Sequence, residues 1–292
     1  MTNRRARAAA SAALITLLVA GAAAQGTFNL DPDLVFVYAT VTGQKNAHYA
    51  GLKQDHFQIL ENNKEQKVGY FSEQGPWVLG VVVGVSTLLP GRADNTSQHI
   101  RAAVGALREG VEWDNGSFVD ELPFGSDGIF DAISRGLYRV KLTPNPRKAL
   151  IVITDGFDTT EGDPGQPLKE FAKKVDVPVY LLFVKGQGFG SQLGLEDVVR
   201  GNQPYLSGGR VYEEIASLSG GWMTIADAEY ELAAVAKRLA QELTNYYVLG
   251  FNSANDARDG KWRNLKIKVN PPPGAPKLKV NHKSKYFVPK AG

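Results

Sequence analysis

Residues 78–85, VLGVVVGV, form a nearly unbroken apolar run of strand length. A strand with so little polar alternation has to be covered on both faces, which is the situation of a parallel sheet held between helices. The stretches 149–154 (ALIVIT) and 177–184 (VPVYLLFV) have the same character. Between them the hydrophobic period lengthens. Ile100, Val104, Leu107 and Val111 share one helical face, and Ile129, Ile133, Leu137 and Val140 share another after a Gly125-Ser126-Asp127-Gly128 start. Residues 168–175 read as a crossover helix and 211–218 as a helix stopped by Gly220-Gly221. A fourth strand is expected at 222–226 and a last amphipathic helix at 229–243. This alternation predicts a three-layer, Rossmann-like α/β domain over 76–244, with a mostly parallel sheet and helices on both faces.

Both flanks follow a period of two. Residues 33–42 alternate apolar and polar side chains, while 57–61 and 66–71 flank Asn62-Asn63-Lys64-Glu65, a connection suited to a hairpin. After the α/β region, 246–252, 262–269 and 277–288 are strand-like, separated by turn-rich segments. The flanks, 25–75 and 245–292, are expected to pack together as one small β module, because a lone hairpin is rarely stable in water.

Residues 1–24 carry an arginine-bearing start, an apolar segment at 8–20 and the run Gly21-Ala22-Ala23-Ala24. That order is the pattern of a secretory signal peptide cleaved after Ala24, and the apolar part falls short of the roughly 20 residues needed to cross a bilayer. Export to a bacterial periplasm or beyond is the expectation. Loss of Arg4, Arg5 and Arg7 with the leader takes the formal charge from +3 to neutrality. Neutrality removes the main electrostatic argument for a nucleic-acid or acidic-membrane partner. The absence of cysteine excludes disulfides, thiolate metal sites and a cysteine nucleophile.

In an open α/β sheet, ligands bind beyond the carboxyl ends of the strands. There the sequence places Gly84-Val85-Ser86-Thr87-Leu88, Phe124-Gly125-Ser126-Asp127-Gly128 and Thr154-Asp155-Gly156-Phe157-Asp158. A hydroxyl and two carboxylates could converge there on a hard cation. With VTGQKNAHYAGLKQDHFQILENNKEQKVGYF, VLGVVVGVS, GIFDAI, ALIVITDGFD, EIASLSGGWMTIADAEYELAAVAKRLAQELTNYYVLGF and RDGKWRNLKIKV in this order, the chain resembles the von Willebrand factor type A domain, in its secreted acidobacterial branch. The resemblance implies a non-enzymatic protein-binding or adhesion domain whose metal-ion-dependent adhesion site holds Mg²⁺ or Ca²⁺. By position Ser86 matches the first serine and Asp155 the last aspartate of that motif. Gly84 stands in place of the first aspartate, Leu88 in place of the second serine and Asp127 at the threonine. The implied metal set is therefore the degenerate Ser86, Asp127 and Asp155. The implied partner-binding rim is Ser86, Thr87, Leu88, Ser126, Asp127, Asp155 and Asp158.

Asp127 has two readings: a replacement carboxylate for a weakly held cation, or, with Ser126, a cap for the helix that begins at Gly128. Asp158, Glu161 and Asp163 read as a solvated acidic loop, and 186–191 lacks the glycine at Ser191 that a dinucleotide fingerprint needs. Two alternatives stand beside protein binding. One is a self-assembling envelope component. The other is a serine hydrolase, since Ser86, Asp155 and His282 follow the chain order of an α/β-hydrolase triad. Leu88 replaces the last glycine of the nucleophile elbow, and His282 lies in a lysine-rich β stretch, so no enzyme is expected. His48, His56 and His99 show no metal-binding spacing.

Overall fold

The computed structural model describes residues 34–85, 93–123, 128–156, 165–185, 209–227 and 231–290. Four strands come first: β1 (Leu34–Thr42), β2 (Phe57–Glu61), β3 (Lys64–Gln66) and β4 (Val68–Ser72). An alternating series follows: β5 (Val78–Gly84), α1 (Ala93–Gly110), β6 (Phe118–Glu121), α2 (Ile129–Lys141), β7 (Lys148–Thr154), α3 (Gly165–Ala172), β8 (Val179–Lys185), α4 (Gly209–Ser219), β9 (Met223–Asp227) and α5 (Leu232–Thr244). Then come β10 (Tyr246–Asn252), β11 (Trp262–Val269), β12 (Lys279–His282) and β13 (Lys285–Phe287).

The apolar runs do form a parallel sheet, in the order β6-β5-β7-β8-β9. Every residue of β5 is buried. Val78, Val82, Leu150, Val152, Leu181 and Phe183 project to one side, where α2, α3 and α4 cover them with residues such as Ile133, Leu168 and Ile215. Successive strand residues face opposite sides. Leu79, Val81, Ile151 and Leu182, all buried, therefore serve the other layer, formed by α1 and α5, which pack against each other. No helix among the described residues is long and apolar enough to cross a membrane.

The flanking strands make two antiparallel sheets, β12-β1-β10-β4 and β13-β11-β2-β3. Val37, Val41 and Leu249 of the first meet Phe57, Ile59 and Ile267 of the second in one core. Both ends of the described chain thus build one sandwich, with β1 held between β10 and β12.

Three expected segments come out differently. The hairpin after β2 uses only Asn62 and Asn63, both left-handed (φ 46° and 66°), and its return strand is β3. Two consecutive left-handed residues match the strands' twist. The chain then breaks at Lys67 and sends β4 into the other sheet, against β10. The expected strand 277–288 is likewise divided, β12 joining one sheet and β13 the other. The polar stretch 112–123 contains an unexpected edge strand, β6, paired with β5 alone.

The sandwich meets the α/β layers at the amino ends of the parallel strands. The Tyr38 hydroxyl donates to the Pro146 carbonyl (2.8 Å), and its ring stacks on Trp77 with centroids 5.9 Å apart. Lys283 pairs with Asp176 at 3.0 Å, just ahead of β8. Arg147, 3% exposed, donates to the carbonyls of Leu243 (3.4 Å) and Tyr246 (3.2 Å) and lies 4.8 Å from the Trp77 ring centroid. It ties the last turn of α5 to the first residue of β10. A cation belongs there, because unpaired carbonyls give a helix carboxyl end partial negative charge.

Candidate functional site

The strand order reverses direction around β5 and β7, and ligands of doubly wound sheets bind at such a switch point, beyond the carboxyl ends. At that point Gly84 pairs with Thr154. Of the residues expected to form the site, Asp155 is described. It directly follows β7, is partly buried and engages in interactions within the protein. Ser86, Thr87, Leu88, Ser126, Asp127 and Asp158 lie outside the described residues.

What surrounds Gly84 bears directly on the cation. A Cβ placed there would sit 2.5 Å from Ile129 Cδ1 and 3.1 Å from Leu122 Cδ1. The space that the first aspartate of an adhesion motif needs is thus filled by two aliphatic side chains. Burying a carboxylate against them without partners is costly. The residues present do not fit the divalent ion that the resemblance implies at this position. Among the described residues, no three His, Asp or Glu side chains cluster as a metal would require.

Beside Gly84 the rim is aromatic underneath. Gly156 turns the chain away from β7 with φ +77°, and its N–H donates to the buried Thr154 hydroxyl at 3.0 Å. A side chain there would strike the Phe183 ring (2.5 Å). The Phe130 and Tyr212 rings stack with centroids 4.9 Å apart in the same layer. Along the other edge, Val83, Val85, Ile100 and Leu122 line a cleft of about 90 Å³ whose mouth carries Ser97, Arg101 and Glu121. Small-molecule pockets measure roughly 300–1,000 Å³, so this one admits only a small group. The sequence reading missed it, because Glu121 ends the short strand β6 and Leu122 directly follows it, and that strand carried no clear signal.

The N-cap of α2 is Gly128, left-handed at φ 94° and without a side chain to cap with. The capping role expected of Ser126 or Asp127 therefore does not fall at the N-cap. Of the hydrolase order, Ser86 lies outside the described residues, and Asp155 and His282 are far apart. Asp155 lies at the carboxyl end of β7. His282 closes β12, beside the Lys283–Asp176 pair at the amino end of β8. The seven residues of β7 separate these ends by about 20 Å at ~3.3 Å each. Both ring nitrogens of His282 are also engaged. Nε2 accepts from the Ile267 N–H (3.1 Å), which leaves Nδ1 as donor to the Lys283 carbonyl (2.7 Å).

Burial lowers the pKa of His282, with the bond to Lys283 opposing, and burial lowers that of His48 too. The folded values lie below the unfolded value of about 6.5. Stability from the neutral rings is therefore present above pH ~6.5 and is lost as pH falls through the folded pKa. In urea titrations from pH 7.5 to 5, the stability gap between the native chain and His282→Gln is expected to narrow. A gap that stays constant would refute the assignment.

No family model matches the sequence, and none of the curated proteins does. Among solved structures the chain is similar to a von Willebrand factor type A protein from Catenulispora acidiphila. The identity is 10% and the TM-score 0.39, over 88% of this chain and 73% of that one.

Proposed function

We propose that this chain is an exported, non-enzymatic protein-binding domain that grips its partner with the carboxyl-end rim of the parallel sheet, without requiring a cation. The observation that carries this reading is the filling of the Gly84 position by Ile129 and Leu122, which puts apolar surface where a bridging ion would be held. The rim residues are Ser86, Thr87, Leu88, Ser126, Asp127, Asp155 and Asp158, and the leader is 1–24. Contact is made by Leu88, the cleft beside Ile100 and hydrogen bonds from the hydroxyls. Buried apolar anchors of this kind commonly supply most of the energy of an interface.

The test is affinity capture from an envelope extract with the mature chain. The partner is expected to stay bound in EDTA and to be lost with Leu88→Lys. Gly84→Asp is expected to gain no heat of Mg²⁺ binding and to lose about 2–3 kcal/mol of stability through overpacking. Complete release by EDTA with recovery on adding Mg²⁺ would refute the reading, as would Mg²⁺ binding gained by Gly84→Asp.

A further inference from the structure

The neutral balance of the mature chain conceals an uneven distribution. After Asp259 the sequence has nine Lys and Arg residues and no Asp or Glu. Arg263 and Lys283 are neutralised by Asp259 (2.9 Å) and Asp176 (3.0 Å). Lys266 and Lys268 alternate along β11 with Leu265 and Ile267, which enter the core, so both ammonium groups face outward. Lys285 stands on the neighbouring strand, opposite Asn264. All three lysines are exposed, and among the described residues none has a carboxylate partner.

These lysines belong to a longer belt that observed contacts connect. Lys285 lies 4.9 Å from the Trp262 ring centroid, and Trp262 meets Phe287 edge to face at 5.4 Å. Lys173, just past the end of α3, lies 4.8 Å over Phe287. Phe171 of α3 in turn meets Tyr138 at 6.5 Å and Lys141 at 5.8 Å, both from α2. Tyr138 and Leu142 end the belt at 55% and 65% exposure, more than other large apolar side chains among the described residues. Arg135 and Arg139 are exposed on the same helix. Among the described residues the same elements also carry Glu170, paired with Lys173, Asp131, exposed on α2 one turn before Arg135, and Glu65, on the far edge strand of the lysine-bearing sheet.

We propose that this belt is a docking surface for an anionic lipid bilayer. Lysines beside an anionic membrane each contribute about as much as one ordinary hydrogen bond, and Trp and Tyr favour the headgroup region, where ring and polar tip are both satisfied. A soluble polyanion would use the cations and leave Tyr138 and Leu142 in water. A bilayer uses both, and basic residues flanking exposed aromatic and aliphatic groups are the signature of interfacial binding. Lipid docking would hold the domain at a membrane surface while leaving the partner rim to act separately.

The experiment is co-sedimentation of the mature chain, in EDTA, with vesicles of phosphatidylcholine alone or mixed with phosphatidylglycerol. Retention on immobilised dextran sulfate is measured alongside. Binding is expected to require phosphatidylglycerol and to weaken as salt screens the charges. Lys266→Glu/Lys268→Glu/Lys285→Glu should reduce vesicle partitioning tenfold or more, at roughly 1 kcal/mol per lysine. Tyr138→Ser/Leu142→Ser should reduce vesicle binding and leave dextran sulfate retention unchanged. Circular dichroism confirms that these surface variants are folded. Vesicle binding that is absent, indifferent to phosphatidylglycerol or unchanged in either variant would overturn the proposal. Retention on dextran sulfate with no vesicle binding would overturn it in favour of a soluble polyanion.

Discussion

Gly221→Ala is expected to cost about 4 kcal/mol or more, a large share of the 5–15 kcal/mol that holds a typical domain together. The cause is backbone against backbone. A Cβ at Gly221 would lie 2.0 Å from the Val179 carbonyl oxygen and 2.6 Å from its carbon, and neither can swing aside as a side chain would. Gly220 and Gly221 close α4 with paired bonds, from the Gly221 N–H to the Ala216 carbonyl (3.0 Å) and from the Gly220 N–H to that of Ser217 (3.3 Å). Gly220 takes the left-handed turn at φ +94° that such a helix end requires. The chain then passes directly over the start of β8 to enter β9. Urea denaturation followed by tryptophan fluorescence measures the loss. Gly105→Ala, in α1 with nothing within 4 Å of its added methyl, is the control and should raise stability by up to ~1 kcal/mol. Equal stability of the two variants would refute this account of Gly221.

Arg147→Ala has the second large effect, expected near 4 kcal/mol. Truncation empties the space beside Trp77 and leaves the carbonyls of Leu243 and Tyr246 without their donor, and a buried unsatisfied acceptor costs about 1–3 kcal/mol by itself. Burial already lowers the pKa of this guanidinium, so its charge is retained against a desolvation cost. Arg147→Met should lose less than half as much, because it fills the volume and removes the buried charge together. A loss under 1 kcal/mol for Arg147→Ala, or equal losses for both variants, would show that the residue is not the fastening between α5, β10 and the parallel sheet.

The sequence was most informative where burial is two-sided. The runs containing Val81, Ile151 and Leu181 became central strands because a segment apolar on both faces has few other places to go. Helices signalled by Ile133 and Leu137, or by Leu239 and Leu243, were legible for the matching reason that one stripe is buried. The edge strand β6 was not legible. Its four residues include Asp120 and Glu121, and a strand paired on one side needs little hydrophobic pattern. Nor could alternation show that Lys67 and Ser284 are places where the chain leaves one sheet for the other, because the period of two continues through both. At the rim, the missing carboxylate at Gly84 was plain in the residue itself. Its replacement by Ile129 and Leu122 was not, since those residues come from α2 and from the segment after β6.

Placing β1 between β10 and β12 also governs when the molecule can finish itself. Leu34 pairs with Asn252 and Thr42 with Lys279, so a polypeptide synthesised from its amino end leaves β1 without its sheet neighbours until β10 and β12 have been made. Contacts so distant along the sequence form slowly, and unpaired strands are prone to stick to neighbours in the meantime.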